Sequence, residues 1–324
     1  MKITYDRRVS ATFLDLFVSD GNGAGVASSL VAYARHARFP VDLQFRREAH
    51  GNRVTATLYV GLTAVLNLHM SSKGLWMSVH KTHQKNGGFD QAWTVRRTEE
   101  ELGAIWPDVE RYLDRIIPIA AQSHGRREGA VQAAITSFAN DRLFVIDREV
   151  TPAFEDEKAK DDFMRECEGP ILEVLEKADL DFGGPPKRLG NECDALAVDV
   201  DGRLLAVEVK PLGVGTIAWV AAQAAMYARI MQGWVDSVGE QVEHVVHGLF
   251  DQRVKVGLLS GSIAVATPIK VVPVVALQRG ASQELIRRML EVRDLLAADA
   301  QLGIPPVEIF EVSLLGELLP LQSC

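Results

Sequence analysis

Residues 192–210 read Glu-Cys-Asp-Ala-Leu-Ala-Val-Asp-Val-Asp-Gly-Arg-Leu-Leu-Ala-Val-Glu-Val-Lys, two short apolar runs around an Asp-Gly turn signal. Asp194 stands at the start of the first run, and Glu208-Val209-Lys210 closes the second. Strand side chains alternate, so Glu208 and Lys210, two apart, share a face. Two carboxylates beside one ammonium can hold a divalent cation and a water against a phosphate. The cation makes hydroxide near neutral pH and polarises phosphate oxygen. Hard Mg²⁺, or Mn²⁺, takes oxygen ligands, which makes Asp194 and Glu208 the candidate metal ligands, with the Val209 carbonyl as a third. Lys210 is a point charge able to orient the attacking water or hold the phosphate. The plainer reading of the same residues is a salt-bridged sheet edge. Register separates the two. A two-residue Asp201-Gly202 turn pairs Ala195 with Glu208 and puts Asp194 on the other face. A three-residue Val200-Asp201-Gly202 loop with left-handed Gly202 pairs Asp194 with Glu208 directly. Both remain open from the sequence.

An Asp, a spacer and Glu-x-Lys on apolar strands resemble the core motif of the PD-(D/E)xK nuclease superfamily. The helix that follows carries Gln223-Ala224-Ala225-Met226-Tyr227, whose polar members are i and i+4 and so share a face with Trp219. This is similar to the Gln-x-x-x-Tyr of the RecB-like branch, where the pair lies beside the active site and DNA. The resemblance covers roughly residues 163–277. It implies a restriction-endonuclease-like α/β core (helix, mixed sheet, helix, strand) and Mg²⁺- or Mn²⁺-dependent hydrolysis of DNA, in restriction, repair or defence. It also implies an acid on the helix before the hairpin. Glu168, at the edge of the stripe Ile171, Leu172 and Leu175, is the first candidate; Glu166, Glu173 and Glu176 are alternatives. The implied catalytic set is Asp194, Glu208, Lys210, Glu168, Gln223 and Tyr227. Cys193 occupies the place of the motif's proline. The rival reading is a non-catalytic nucleic-acid-binding or assembly module of the same fold.

Outward from the hairpin, the pattern predicts helices over 163–178, 217–232 and 283–298 and strands over 269–277 and 307–312, with Gly169-Pro170 marking a kink or restart. The first half reads as α+β. A helix over 28–37 precedes strands over 41–47, 53–59, 64–70 and 75–80, with turns at Gly51-Asn52 and Lys73-Gly74, an antiparallel meander. Helices over 99–121 and 129–140 and a short strand over 143–146 follow, with Pro107 marking a kink or a split. Charge density across 147–162 suggests a linker or a solvated helix start. The expected division is an α+β domain, 1–150, for substrate or partner recognition, and a nuclease-like domain, 151–324.

The chain has 324 residues, 47% apolar and 24% charged, with formal net charge −8. This is globular composition and argues against coating nucleic acid by bulk charge, though not against a local basic groove. Three cysteines without a CxxC pair argue against a zinc ribbon and fit a reducing cytosol. No signal-peptide core or membrane-length apolar run is present, so a soluble cytoplasmic protein is expected, with DNA as partner, no membrane, and a homo-oligomer or protein partner as an open possibility. There is no P-loop motif. His80 and His83, like His244 and His247, read as surface pairs rather than metal ligands. Arg46, Arg47, Arg53, Lys81, Lys85, Arg96 and Arg97 make the first half locally basic, read as a solvated face ahead of a phosphate track. Trp76 and Trp93 read as core ahead of base-stacking platforms, and Asp199 and Asp201 as turn residues.

Overall fold

The structure is a computed structural model in which residues 2–20, 23–36, 41–49, 52–124, 128–137 and 142–321 are described. Ala37, Gly51, Asn140 and Cys324, which end or join features expected from the sequence, lie outside the described residues. The chain divides into two compact units. One comprises Asp6–Ala139 with Gly248–Ser262, the other Met1–Tyr5, Asn140–His247 and Ile263–Cys324.

In chain order the first unit contains α1 (Ala11–Asp15), β1 (Ser19–Asp20), β2 (Gly23–Ala24), α2 (Ser28–His36), β3 (Val41–Arg47), β4 (Val54–Val60), β5 (Thr63–Ser71), β6 (Gly74–Ser78), α3 (Lys81–Asn86), α4 (Glu99–His124) and α5 (Glu128–Ser137). Strands β3 to β6 form the expected antiparallel meander. Alternation sends Leu43, Phe45, Ala56, Leu58, Leu68 and Met77 into one core with Leu102, Val109 and Leu113 of α4. On the other face a polar chain crosses the sheet. The Thr57 hydroxyl donates to Asn67, Asn67 donates to Ser78, and His69 bridges the Thr55 and Ser78 hydroxyls at 2.8 Å each. Helix α4 runs unbroken through Pro107 and Pro118. Each proline removes one hydrogen bond, and burial of the long stripe that includes Trp106, Ile116 and Ile117 outweighs that loss.

The second unit contains β7 (Leu143–Val150), α6 (Glu157–Lys177), β8 (Cys193–Asp199), β9 (Leu204–Lys210), α7 (Val220–Val238), the first half of α8 (Gln241–Lys255), β10 (Val271–Gln278), α9 (Gln283–Ala298), β11 (Glu308–Val312) and β12 (Leu318–Pro320). Its mixed sheet has the order β12-β11-β10-β9-β8-β7. Strands β9, β10 and β11 run parallel, and β7, β8 and β9 antiparallel. Every residue of β9 is buried, as expected of a strand covered on both faces. The chain is therefore mixed α/β, with one antiparallel and one mixed sheet.

Three differences from the sequence expectation have local causes. The strand expected over 143–146, placed from the sequence in the N-terminal domain, extends to Val150 and pairs with β8 in the mixed sheet of the second unit. The charges that obscured it are satisfied in place: Asp147 is buried, receives the Tyr5 hydroxyl and accepts from the Arg148 amide at 2.7 Å. Helix α6 continues through Gly169-Pro170. Pro170 offers no N–H to the Glu166 carbonyl four residues earlier, and Arg229 donates to that carbonyl at 3.4 Å instead. Helix α8 was not foreseen. Its stripe of Val242, Val245, Val246, Leu249 and Phe250 is diluted by His244, His247 and Gly248, and the helix crosses the division, with Gly248 onward in the first unit. Among the described residues no helix is long and apolar enough to cross a membrane.

Candidate active site

The β8–β9 turn settles the register. Ala195 pairs with Val207 and Val198 with Leu204, and the Asp199 amide donates to Arg203 at 3.1 Å, which leaves Val200-Asp201-Gly202 as the loop. Gly202 has φ +80°, and a Cβ there would lie 1.9 Å from the Ala264 carbonyl oxygen, so only glycine closes this turn. Asp199 locks it, as expected of a turn residue. Its carboxylate accepts the amides of Asp201 (3.0 Å) and Arg203 (2.8 Å) and the Arg203 Nε (2.7 Å). Continued one residue past Ala195–Val207, the register sets Asp194 opposite Glu208.

Asp194 Oδ2 accepts the Val209 amide at 2.6 Å. Glu208 and Lys210 are 3% and 7% exposed on the central strand, and Lys210 Nζ stands 2.5 Å from Glu208 Oε1. A buried ion pair is a poor source of stability, because desolvation offsets most of the attraction. The carboxylates act on neighbouring groups. Burial, and then the charges of Asp194 and Glu208, push the Cys193 thiol well up. The Tyr227 phenol is raised by burial first and then by Glu208, Cys193, Asp194 and Glu192.

Of the helix acids, Glu168 alone is buried, at 3% exposed; Glu166, Glu173 and Glu176 are exposed. Its carboxylate is committed to the segment before β8. One oxygen accepts the Leu189 amide and the other lies 2.9 Å from Arg188 Nε. The Leu189 carbonyl is held from the other side by Gln223 Nε2 at 3.0 Å and the Tyr227 hydroxyl at 3.2 Å. Glu168, Gln223 and Tyr227, from two helices, thus clamp a single residue, and Leu189 is fully buried. The carbonyl can only accept, so it fixes the Gln223 amide orientation and leaves Gln223 Oε1 buried without a partner among the described residues. Gly190, next in the chain, has φ +110°, and a Cβ there would come within 2.2 Å of the Tyr227 oxygen. The sequence motif pointed to Gln223 and Tyr227 but not to their target. Leu189 and Arg188 were missed, and the available signal was Lys187-Arg188-Leu189-Gly190, a basic pair and a glycine directly ahead of the hairpin.

Several remaining sequence candidates make contacts within the fold. Trp93 is core, as expected. Trp76 is half-buried, stacked on His69 at 5.0 Å and under Arg96 at 4.9 Å. Arg47 pairs with Asp6 at 2.8 Å, Arg53 with Glu48, and Arg46 lies over Tyr59. His80 is exposed but His83 is buried at 5% exposed, so they are not the surface pair expected; their rings meet edge-on at 6.4 Å. Among the described residues no three His, Cys, Asp or Glu are grouped to hold a metal ion. A cavity of about 610 Å³, lined by Cys167, Arg229, Lys270, Val271 and Leu302 among others, lies at the opposite end of the parallel strands: Val271 pairs with Leu204, whereas Lys210 pairs with Leu277.

No protein-family model, curated protein or solved structure matches this chain.

Proposed function

We propose that this protein is a metal-dependent nuclease of the PD-(D/E)xK type that hydrolyses DNA, its mixed sheet and helices being a restriction-endonuclease-like core. The observation that carries this reading is the three-residue turn, which brings Asp194 opposite Glu208 with Lys210 beside it on the buried central strand. The donor set fits a hard divalent cation in kind and number. Mg²⁺ is usually held by one or two carboxylates plus substrate phosphate rather than by an all-protein cage, so Asp194, Glu208 and the Val209 carbonyl suffice without a third acid. The bound cation would supply a hydroxide near neutral pH and polarise phosphate oxygen. Lys210 supplies the positive charge that orients the attacking water and offsets charge on the phosphate. Glu168, Gln223 and Tyr227 hold Leu189, and so fix the wall of the site, in keeping with the resemblance to the RecB-like branch. Substrate or partner recognition is assigned to the N-terminal unit.

A specific observation favours the second reading, a binding or assembly module without catalysis. Each carboxylate already has a partner: Asp194 the Val209 amide, Glu208 the Lys210 ammonium, and Glu168 both Leu189 and Arg188. A melting titration separates the two. A cation bound to the folded state alone raises the melting temperature by mass action. The nuclease reading expects Mg²⁺ or Mn²⁺ to stabilise the parent and leave Asp194→Asn unmoved. A parent indifferent to both cations removes the metal site and leaves the module.

A further inference from the structure

The segment between α6 and β8 is tied down at both ends. At its start, Asp181 pairs with Arg287 at 3.2 Å, and the Phe182 ring packs against Trp219 at 5.2 Å with Arg288 also over the ring. At its end, Leu189 is clamped by Glu168, Gln223 and Tyr227. Between these anchors runs Gly183-Gly184-Pro185-Pro186-Lys187-Arg188. Both glycines face open space, Gly183 at φ +99°. The two prolines stiffen this stretch, with no N–H to satisfy. Lys187 and Arg188 are exposed. Arg188 uses Nε on buried Glu168 while its side chain stays 63% exposed, so the guanidinium is aimed and still available. Lys187 has no carboxylate partner among the described residues. In a chain of net charge −8, this is an exposed basic pair beside the Leu189 peptide that Tyr227 holds, on the stretch that leads directly into β8 and Asp194.

Resting on the nuclease reading, we propose that the segment 181–189 is a strap whose Lys187 and Arg188 contact the phosphate backbone of the DNA substrate, positioning it over Asp194 and Glu208. Phosphate oxygens take a bidentate guanidinium and a mobile ammonium alike. A loop with two glycines facing open space lets a polyanion approach the backbone closely. These are positioning residues and touch no reacting atom.

The test is equilibrium binding of the full chain to a labelled DNA duplex and to the corresponding single strand in EDTA, across a salt series, for the parent, Lys187→Gln, Arg188→Gln and Arg188→Lys. Each lost phosphate contact lowers the slope of log affinity against log salt by about 0.9 on a duplex and about 0.7 on a single strand. We expect that drop for each glutamine variant, a restored slope for Arg188→Lys, and in Mg²⁺ a raised KM with unchanged kcat. Lys187→Gln breaks no contact of the fold, so its melting temperature stays at the parent's and an altered slope there cannot come from misfolding. Unchanged slopes in both glutamine variants, or a parent that binds neither DNA, overturn the proposal. Binding that depends on the pair without cleavage in Mg²⁺ would fail the nuclease reading and leave the strap; cleavage with unchanged slopes would do the reverse.

Discussion

Gly190→Ala probes the clamp where its geometry is tightest. The residue sits at φ +110°, where an L side chain is strained, and its Cβ would lie 2.2 Å from the Tyr227 oxygen. Backbone strain of this sort costs about 1–3 kcal/mol. The ring must also move, which breaks the 3.2 Å bond to the Leu189 carbonyl, a loss of about 1 kcal/mol for a buried hydrogen bond. The total is about 2–4 kcal/mol. In a Tyr227→Phe background the clashing oxygen is absent and the bond already lost, while the ring carbon behind it stands at an ordinary 3.4 Å. There Gly190→Ala should cost the strain alone, about 1 kcal/mol or more less than in the parent. Urea unfolding of the four proteins in this cycle measures the coupling, with a change of about 2–4 °C in melting temperature per kcal/mol as a second readout. Equal cost in both backgrounds, within about 0.5 kcal/mol, would refute the geometry.

Further expectations follow from burial and charge. Burial raises the Cys167 thiol to about 11 from its ordinary 9.0, so the stability it contributes is whole below pH 9 and lost as pH rises through 11; Cys167→Ala should flatten that decline in a pH series of unfolding curves. Burial, with help from Arg53, lowers His69 to about 4 from 6.5, so its contribution is present above pH 6.5 and lost as pH falls through 4, a loss absent from His69→Asn. Gly202→Ala, which meets the Ala264 carbonyl, should destabilise by about 2 kcal/mol or more from left-handed strain and overlap, seen in urea unfolding; a neutral result would contradict the three-residue turn. Glu168→Ala leaves the Leu189 amide buried without an acceptor and should cost about 1–3 kcal/mol, whereas Glu168→Gln, which keeps an acceptor, should cost less in the same assay.

The hairpin was legible because short apolar runs and an Asp-Gly turn are local signals, yet its register was not. The choice between two- and three-residue loops depends on Gly202 meeting Ala264, some sixty residues away. Glu168 stood out from Glu166 and Glu173 by its place beside Ile171 and Leu175, a periodicity the chain carries within a few turns. What it does there was hidden. Leu189 is twenty-one residues from Glu168 and thirty-eight from Tyr227, and no local pattern encodes such a meeting. Strand β7 was cut short in the reading because Asp147 and Arg148 look like surface residues until Tyr5 and the bulge between Val145 and Asp147 account for them. Helix α8 was missed because two histidines and a glycine blur its apolar face.

The most direct test of the central claim is incubation of the purified protein with linear and circular DNA, single- and double-stranded, in Mg²⁺, Mn²⁺ or EDTA, beside Asp194→Ala and Lys210→Ala. The account predicts cleavage by the parent that requires a divalent cation and is lost in both variants, with the circular substrates showing whether an end is needed. A parent that leaves every substrate intact, or a Lys210→Ala protein that cuts as fast as the parent, would contradict it.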